Sequence, residues 1–444
     1  MTDVVSEAEA RRTVETVWRL ESARIVAGLT RLVRDIGLAE ELAHDAVVAA
    51  LQDWPRIGVP GNPGGWLMLT AKHRAIDRLR RNDRLDDRVA QLGHDFIDRQ
   101  RSAIHNGTAD FDAVIDHEDL TDDVLRLIFV ACHPVLPAPS RVALTLRLIG
   151  GLTTEEIARS FMVTEPTVAQ RIVRAKRILG EQRIAFEVPA APERAERLAS
   201  VLEVAYLVFN EGYSATAGDD WLRPELCQEA LRLSRMLAEL VPDEPEVHGL
   251  VALMEIQASR FRSRVDQEGR PVALADQDRG RWDQLLIRRG FTALLRAGNL
   301  DGPVGPYVLQ AAIAACHAQA RRAEDTDWDR IAALYETLLH VAPSPVAGLN
   351  HAVAVSMTRG PAAGLSIVDE LAGHSALRDY HLLPAVRGDL LAKLGRMDEA
   401  RIEFQRAAQL TRNVPEREVL LRRALRPEVA PGWRSGRPWS GWSP

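Results

Sequence analysis

The stretch Leu152–Leu179 constrains this chain more than any other. It reads as two short helices joined by a tight turn. Thr153 can cap the first helix, and Glu156 three residues on completes a capping-box pattern. Ile157 and Ala158 then face inward, and Phe161-Met162-Val163 makes the turn. Thr164 is the natural N-cap of the second helix, and Pro166 falls in its first turn, where a missing N–H costs nothing. Val168, Ile172, Ala175 and Leu179 recur at spacings of three and four, a buried helical stripe. The opposite face carries Thr167, Gln170, Arg171, Arg174 and Arg177. A helix whose start can reach base edges and whose flank can hold phosphates has this layout. An ordinary hairpin with a solvated basic face has it too, so the segment needs support from elsewhere.

That support lies upstream. Pro63–Arg81 starts after a Pro/Gly break and is amphipathic, with Trp66, Leu69, Ile76 and Leu79 as apolar anchors. Lys72, Arg74, Arg78, Arg80 and Arg81 crowd its polar surface, together with His73. From Lys72 to Arg88 basic residues outnumber acidic ones, in a chain whose formal charge is −6. Local positive charge within an acidic protein points to a polyanion site. Arginine by itself says little here, because Lys72, Lys176 and Lys393 are the only lysines. Its clustering is the signal.

A helical N-terminal block, a Trp-containing basic helix, an acidic linker and a helix-turn-helix, in that order, resemble bacterial sigma factors of the extracytoplasmic-function group. The resemblance covers about the first 185 residues. It implies that Leu38–Trp54 binds core RNA polymerase, with Leu42, Ala46 and Leu51 as apolar contacts and Glu41 and Asp45 as charged ones. Part of that apolar set must instead pack the domain, and sequence does not apportion it. Trp66–Arg81 would open and read the −10 promoter element, with Lys72, Arg74, Arg78, Arg80 and Arg81 as its cations. Gly151–Leu179 would read the −35 element. There Thr167, Gln170 and Arg171 are the candidates nearest the bases, and Arg174 and Arg177 the phosphate ligands. Trp66 reads better as core than as a base-stacking surface. The segment Arg56–Gly65 is a candidate for part of a pocket for unpaired bases.

The implied fold is all-α: two small helical sigma domains, the second a helix-turn-helix, joined by a linker and followed by a tetratricopeptide-like repeat domain. The expected boundaries are 10–85 for the first domain, 86–119 for the acidic linker and 120–183 for the helix-turn-helix domain. A hinge follows at 184–192, centred on Val188–Pro192, then the helical extension at 193–426 and a Gly/Pro/Ser-rich tail at 427–444, expected to be disordered. Phe209–Ser214, Asp276–Arg279 and Thr326–Trp328 are similar to the extension of one sigma subgroup. Leu394–Leu410 fits the Leu-Gly…Ala…Phe…Ala pattern of a tetratricopeptide helix pair. Asn210, Glu211, Tyr213, Asp276, Asp278, Arg279 and Trp282 form polar-aromatic clusters that could line a pocket.

Composition excludes several classes. Hydrophobic residues make up 46% and charged residues 27% of the 444, a globular balance. No run approaches the ~18 apolar residues of a membrane span, and the N-terminus lacks the pattern of a signal peptide. A cytoplasmic protein with no membrane partner is expected. Cys132, Cys227 and Cys316 are scattered and read as reduced core residues. Gly61–Gly65 lacks the spacing of a nucleotide-binding loop, and Cys132-His133 has no second pair to complete a zinc site. No catalytic residue, metal or cofactor is expected. The expected partners are core polymerase, promoter DNA and a protein or peptide on the extension. The rival readings are a helix-turn-helix regulator that senses a ligand or protein through its C-terminal domain, and a helical-repeat scaffold; an enzyme ranks last.

Overall fold

The computed structural model describes residues 7–81, 117–161, 163–218 and 221–425. Most of the 86–119 linker and the whole 427–444 tail lie outside them. The described residues form eighteen α-helices and one two-residue pair of strands. They divide into two compact units, 1–204 and 205–444.

The first unit begins with α1 (Glu7–Val33), α2 (Ile36–Ile57) and α3 (Pro63–Arg81). Arg34 takes a positive φ of 55° between α1 and α2. Asp35 then caps α2 by accepting from the Leu38 N–H at 2.7 Å. α2 runs through Pro55 and stops at Gly58, whose φ of 86° no β-carbon residue adopts readily. Asn62 starts α3 by accepting from the Gly65 N–H at 2.8 Å. Val14, Ile25, Leu29, Ala43, Trp54 and Leu67 form the buried side of these helices.

α4 (His117–Ala131), α5 (Ala138–Leu148), α6 (Thr154–Ser160) and α7 (Glu165–Glu181) follow. The helix that opens this block thus begins at His117, a little before the expected boundary at 120. Gly150 and Gly151 end α5: the Leu152 N–H bonds back to the Leu146 carbonyl at 3.1 Å. Gly151 has φ of +67°, and a β-carbon there would come within 2.8 Å of Ser22 Oγ. Cys132 is buried, with Sγ 3.2 Å from Thr145 Oγ1, and burial pushes its thiol up to about 11. All three cysteines are buried and free.

The division between units falls inside α8 (Ala191–Tyr213), not at the Val188–Pro192 break. The first half of α8 returns to the helix-turn-helix domain. Ser200 Oγ donates to the Cys132 carbonyl at 2.5 Å and accepts from Arg141. Arg197 donates to the Phe129 carbonyl at 3.1 Å, and Arg141 also meets Glu203 at 3.0 Å.

The second unit contains α9 (Pro224–Leu240), α10 (Pro245–Ala258), α11 (Gln284–Asn299), α12 (Pro306–Gln319) and α13 (Trp328–Val341). It continues with α14 (Pro345–Arg359), α15 (Pro361–Leu371), α16 (Leu382–Lys393), α17 (Met397–Leu410) and α18 (Val414–Leu425). From α12 onward each helix packs on the next. Many begin with proline in the first turn, where its fixed φ suits a helix start. Leu349, Val368, Leu391, Phe404 and Leu420 belong to one continuous apolar core. A parallel pairing of β1 (Ala217–Gly218) with β2 (Arg412–Asn413) joins the start of this unit to its end. Asn413 reinforces it by donating to the Ala215 carbonyl at 3.1 Å.

Candidate nucleic-acid and polymerase interface

The helix-turn-helix forms as its local chemistry dictates. Thr153 Oγ1 accepts from the Glu156 N–H at 3.1 Å, and the Glu156 carboxylate accepts from the Thr153 N–H at 2.8 Å. Burial raises the Glu156 pKa, but the Thr153 N–H and the Arg19 guanidinium, 2.5 Å away, hold it below the usual range. Thr164 caps α7 through the Thr167 N–H. Val168, Ile172, Ala175 and Leu179 are all buried.

Gln170, Arg174 and Arg177 are exposed on the other side of α7, with Thr167 and Arg171 partly so. Arg177 lies 3.7 Å from Glu181, an exposed pair that water and salt weaken. Thr167 shares its hydroxyl with Thr164 at 2.8 Å. Sequence reasoning missed Val173, which is 67% exposed in the middle of this polar face. An apolar side chain there suits a thymine methyl group; its place one turn from Gln170 and Arg177 was the available signal.

On α2 the apolar set separates. Leu42 and Ala46 are buried in the domain core and are not surface contacts. Their place on the side of α2 that meets α1 and α3 explains this. Leu51 is 38% exposed, and Val48, which the sequence reading left out, is 49% exposed. With exposed Glu41 and half-buried Asp45 they make a mixed charged and apolar face.

The cations of α3 also divide. Arg78 is exposed, and Arg74 lies 3.5 Å from Asp45. Lys72 is half-buried, and burial, then the charge of Arg31, lowers its pKa while Asp123 opposes them. The side chains of Arg80 and Arg81 lie outside the described residues. Trp66 packs edge-on against Trp54 with ring centres 5.6 Å apart, as a core residue does.

One group that the sequence did not mark joins the two domains of this unit. Glu40, buried on α2, accepts from Arg147 Nε of α5 at 2.6 Å and from Lys176 Nζ of α7. Burial would raise its pKa, but Lys176 and then Arg147 hold it below the usual carboxylate range. His44 Nε2 stands 2.8 Å from Arg147, and burial lowers its pKa.

In the extension, the seven candidate pocket residues stand in different surroundings. Tyr213 is fully buried, with the Arg264 guanidinium 3.5 Å from its ring centre. Glu211 accepts from Thr216 at 2.9 Å and pairs with Arg223. Arg279 spends its guanidinium on the carbonyls of His317 and Ala320, at 2.5 and 2.7 Å. Trp282 is buried in a small apolar cluster with Leu274 and Ile287. Asp276 and Asp278 are exposed, and Asp278 caps a short 3-10 turn. Asn210 lines a cavity beside the β1–β2 pairing.

Residues 19–85 match the sigma-70 region 2 family and residues 126–179 match sigma-70 region 4. The chain belongs to the extracytoplasmic-function sigma factors. It is 28% identical over 182 residues to a probable sigma factor SigI of Mycobacterium tuberculosis, covering 41% of this chain and 59% of the relative. It is also 28% identical over 177 residues to SigK of a Mycobacterium species, covering 38% of this chain and 84% of that protein. Both matches are too short to include the whole extension. Residues 197–298 match a family of unknown function. An uncharacterized protein of Rhizobium meliloti is 43% identical over 411 residues, 89% of this chain and 92% of its own length. This sigma factor and that protein therefore share the extension as well.

No helix among the described residues is long and apolar enough to cross a membrane. Among the same residues no group of three or more His, Cys, Asp or Glu is placed to hold a metal.

Proposed function

We propose that this sigma factor binds core RNA polymerase through the Glu41–Leu51 face of α2 and reads promoter DNA through α3 and α7. The work is done in the cytoplasm. The observation that carries the reading is the pairing of a region 2 match and a region 4 match, in that order, with a basic face on α7 turned away from its buried stripe. Arg171 and Gln170 supply base-edge contacts, and Arg174 and Arg177 supply phosphate contacts. Arg74 and Arg78 hold the backbone near the −10 element. Two separate DNA-facing helices need a platform to set their spacing, which is why the isolated chain should bind duplex DNA poorly.

The tetratricopeptide-like extension modulates this activity in cis, through a protein, a peptide or a small ligand. It makes up more than half of the chain and is shared with the Rhizobium relative. The test is in vitro transcription with core polymerase, comparing the full chain with residues 1–204. Both proteins should start at the same promoters, with different output. Tight sequence-selective duplex binding by the chain alone, without stimulation of core enzyme, would favour a simple helix-turn-helix regulator.

A further inference from the structure

α18 carries an apolar stripe on each of two sides. Leu420 and Ala424 are buried in the core that includes Phe404 of α17. On the opposite side Val414, Leu421 and Leu425 are 38%, 45% and 83% exposed. Steps of seven and then four residues set these three in one row along the helix. Single exposed apolar residues are ordinary, but a contiguous apolar row calls for a partner. From α12 onward each helix of the extension is covered by the next, and α18 is the last among the described residues. A stacked helical array leaves such a face bare at its end unless something caps it.

The chain itself carries an occupant for that face. Residues 426–444 continue directly from Leu425 and lie outside the described residues. They hold Trp433, Trp439 and Trp442, three of the nine tryptophans in the chain, so this short segment is rich in the side chain with the most apolar surface to bury. Pro427 and Pro431 oppose a continuation of the helix, and Gly432 beside Pro431 favours a change of direction. From Val414 to Leu425 the row measures about 17 Å. The residues from Arg426 to Trp433 can span up to about 26 Å. Trp433 can therefore return to any point of the row.

We propose that the segment 427–444 folds back over the outer face of α18 and caps the end of the extension, with its tryptophans on Val414, Leu421 and Leu425. Composition alone would leave this segment disordered; the row on α18 gives its tryptophans a surface to bury. A second copy of the chain would compete for the same row. The tethered segment has the advantage, because a short linker holds it at an effective concentration on the order of millimolar. The inference stands apart from the transcription reading, since it concerns the second unit alone.

The experiment is hydrogen exchange on the full chain, with a synthetic peptide of residues 427–444 as the unprotected reference. Amides of residues 432–442 should exchange about tenfold more slowly in the chain than in the peptide. Leu421→Asp combined with Leu425→Asp, both at exposed positions, should return them to the peptide's rate. Should that variant fail to fold, the contact is tested from its other side. A chain with Trp433→Ser, Trp439→Ser and Trp442→Ser should bind more anilinonaphthalene sulfonate than the unaltered chain, because the row is uncovered; equal dye binding would overturn the inference. Exchange of 432–442 at the peptide's rate in the unaltered chain would do the same. So would protection that survives the two leucine substitutions, which places the segment elsewhere. Protection that is lost when the chain is diluted to monomer would make a second copy the occupant and overturn it too.

Discussion

At the residue scale, the value of a side chain here depends on which side of its helix it stands. Arg171 sits partly exposed near the start of α7, and Arg171→Ala should weaken use of the −35 element by about 1–3 kcal/mol, the worth of one base contact. Arg177→Ala should instead weaken binding to all sequences and flatten its salt dependence. Gel-shift and run-off assays of the polymerase complex at several salt concentrations separate the two effects; equal losses on every promoter for both variants would show that Arg171 makes no base-specific contact. His317 supplies a pH prediction. Burial, then the charges of Arg260 and Arg279, lower its pKa to about 3 from an ordinary 6.5. Below about 6.5 the unfolded chain takes up a proton that the folded chain refuses, so stability is full above that point and falls as pH drops toward 3. At about pH 5.5 the loss from this group should approach 1 kcal/mol. His317→Phe, facing Trp328 edge-on as the imidazole does, should flatten the difference in melting temperature between neutral and mildly acidic buffer.

At the element scale, close helix crossings and one buried carboxylate carry much of the specificity. Gly249 of α10 faces α12 so tightly that a β-carbon would come within 2.6 Å of the Val308 nitrogen. Gly249→Ala should therefore destabilise the extension by about 1–3 kcal/mol through overpacking. Gly373→Ala, where no atom lies within 4 Å of the added carbon, is the control and should be near neutral. Urea unfolding distinguishes them. Glu40 plays the corresponding part in the first unit, because Arg147 and Lys176 both donate to it. A double-mutant cycle between Glu40→Gln and Lys176→Met should yield a coupling of about 1–3 kcal/mol, the range of charge-assisted bonds. A coupling near zero would mean that α2 and α7 are held together by apolar packing alone.

At the scale of the whole molecule, the first compact unit ends further along the chain than the proline-rich break. Arg197 and Ser200 lie beyond that break and bond to carbonyls of the helix-turn-helix domain. Cutting at residue 187 removes them and leaves the Arg141 guanidinium without Ser200 or Glu203. Residues 1–187 should therefore melt about 4–8 °C below residues 1–204, the effect of roughly 2 kcal/mol in a protein of this size. Equal melting temperatures would show that α8 adds nothing to the first unit.

Much of this architecture was legible locally. The caps at Thr153 and Thr164, the buried stripe of α7 and the glycine stop after Ile149 involve residues within a turn or two of each other. Short-range hydrogen bonding and helical spacing alone determine them, so sequence reveals the helices and the helix-turn-helix. Four outcomes required the tertiary structure. Leu42 and Ala46 turned inward while Val48 and Leu51 remained outside, because only the position of α1 and α3 decides which part of an apolar stripe is covered. Glu40 gained its partners from residues more than a hundred positions away. The extension's cavity formed beside the β1–β2 pairing, lined by Asn210 and by Ser214–Thr216 on either side of Tyr213. Glu211, Tyr213 and Trp282 of the polar-aromatic clusters packed into the interior while Asp276 and Asp278 stayed exposed, since arginine stems and aromatic rings fill space as readily as they line it. Amphipathic periodicity says that a face is buried; only the assembled helices say by what.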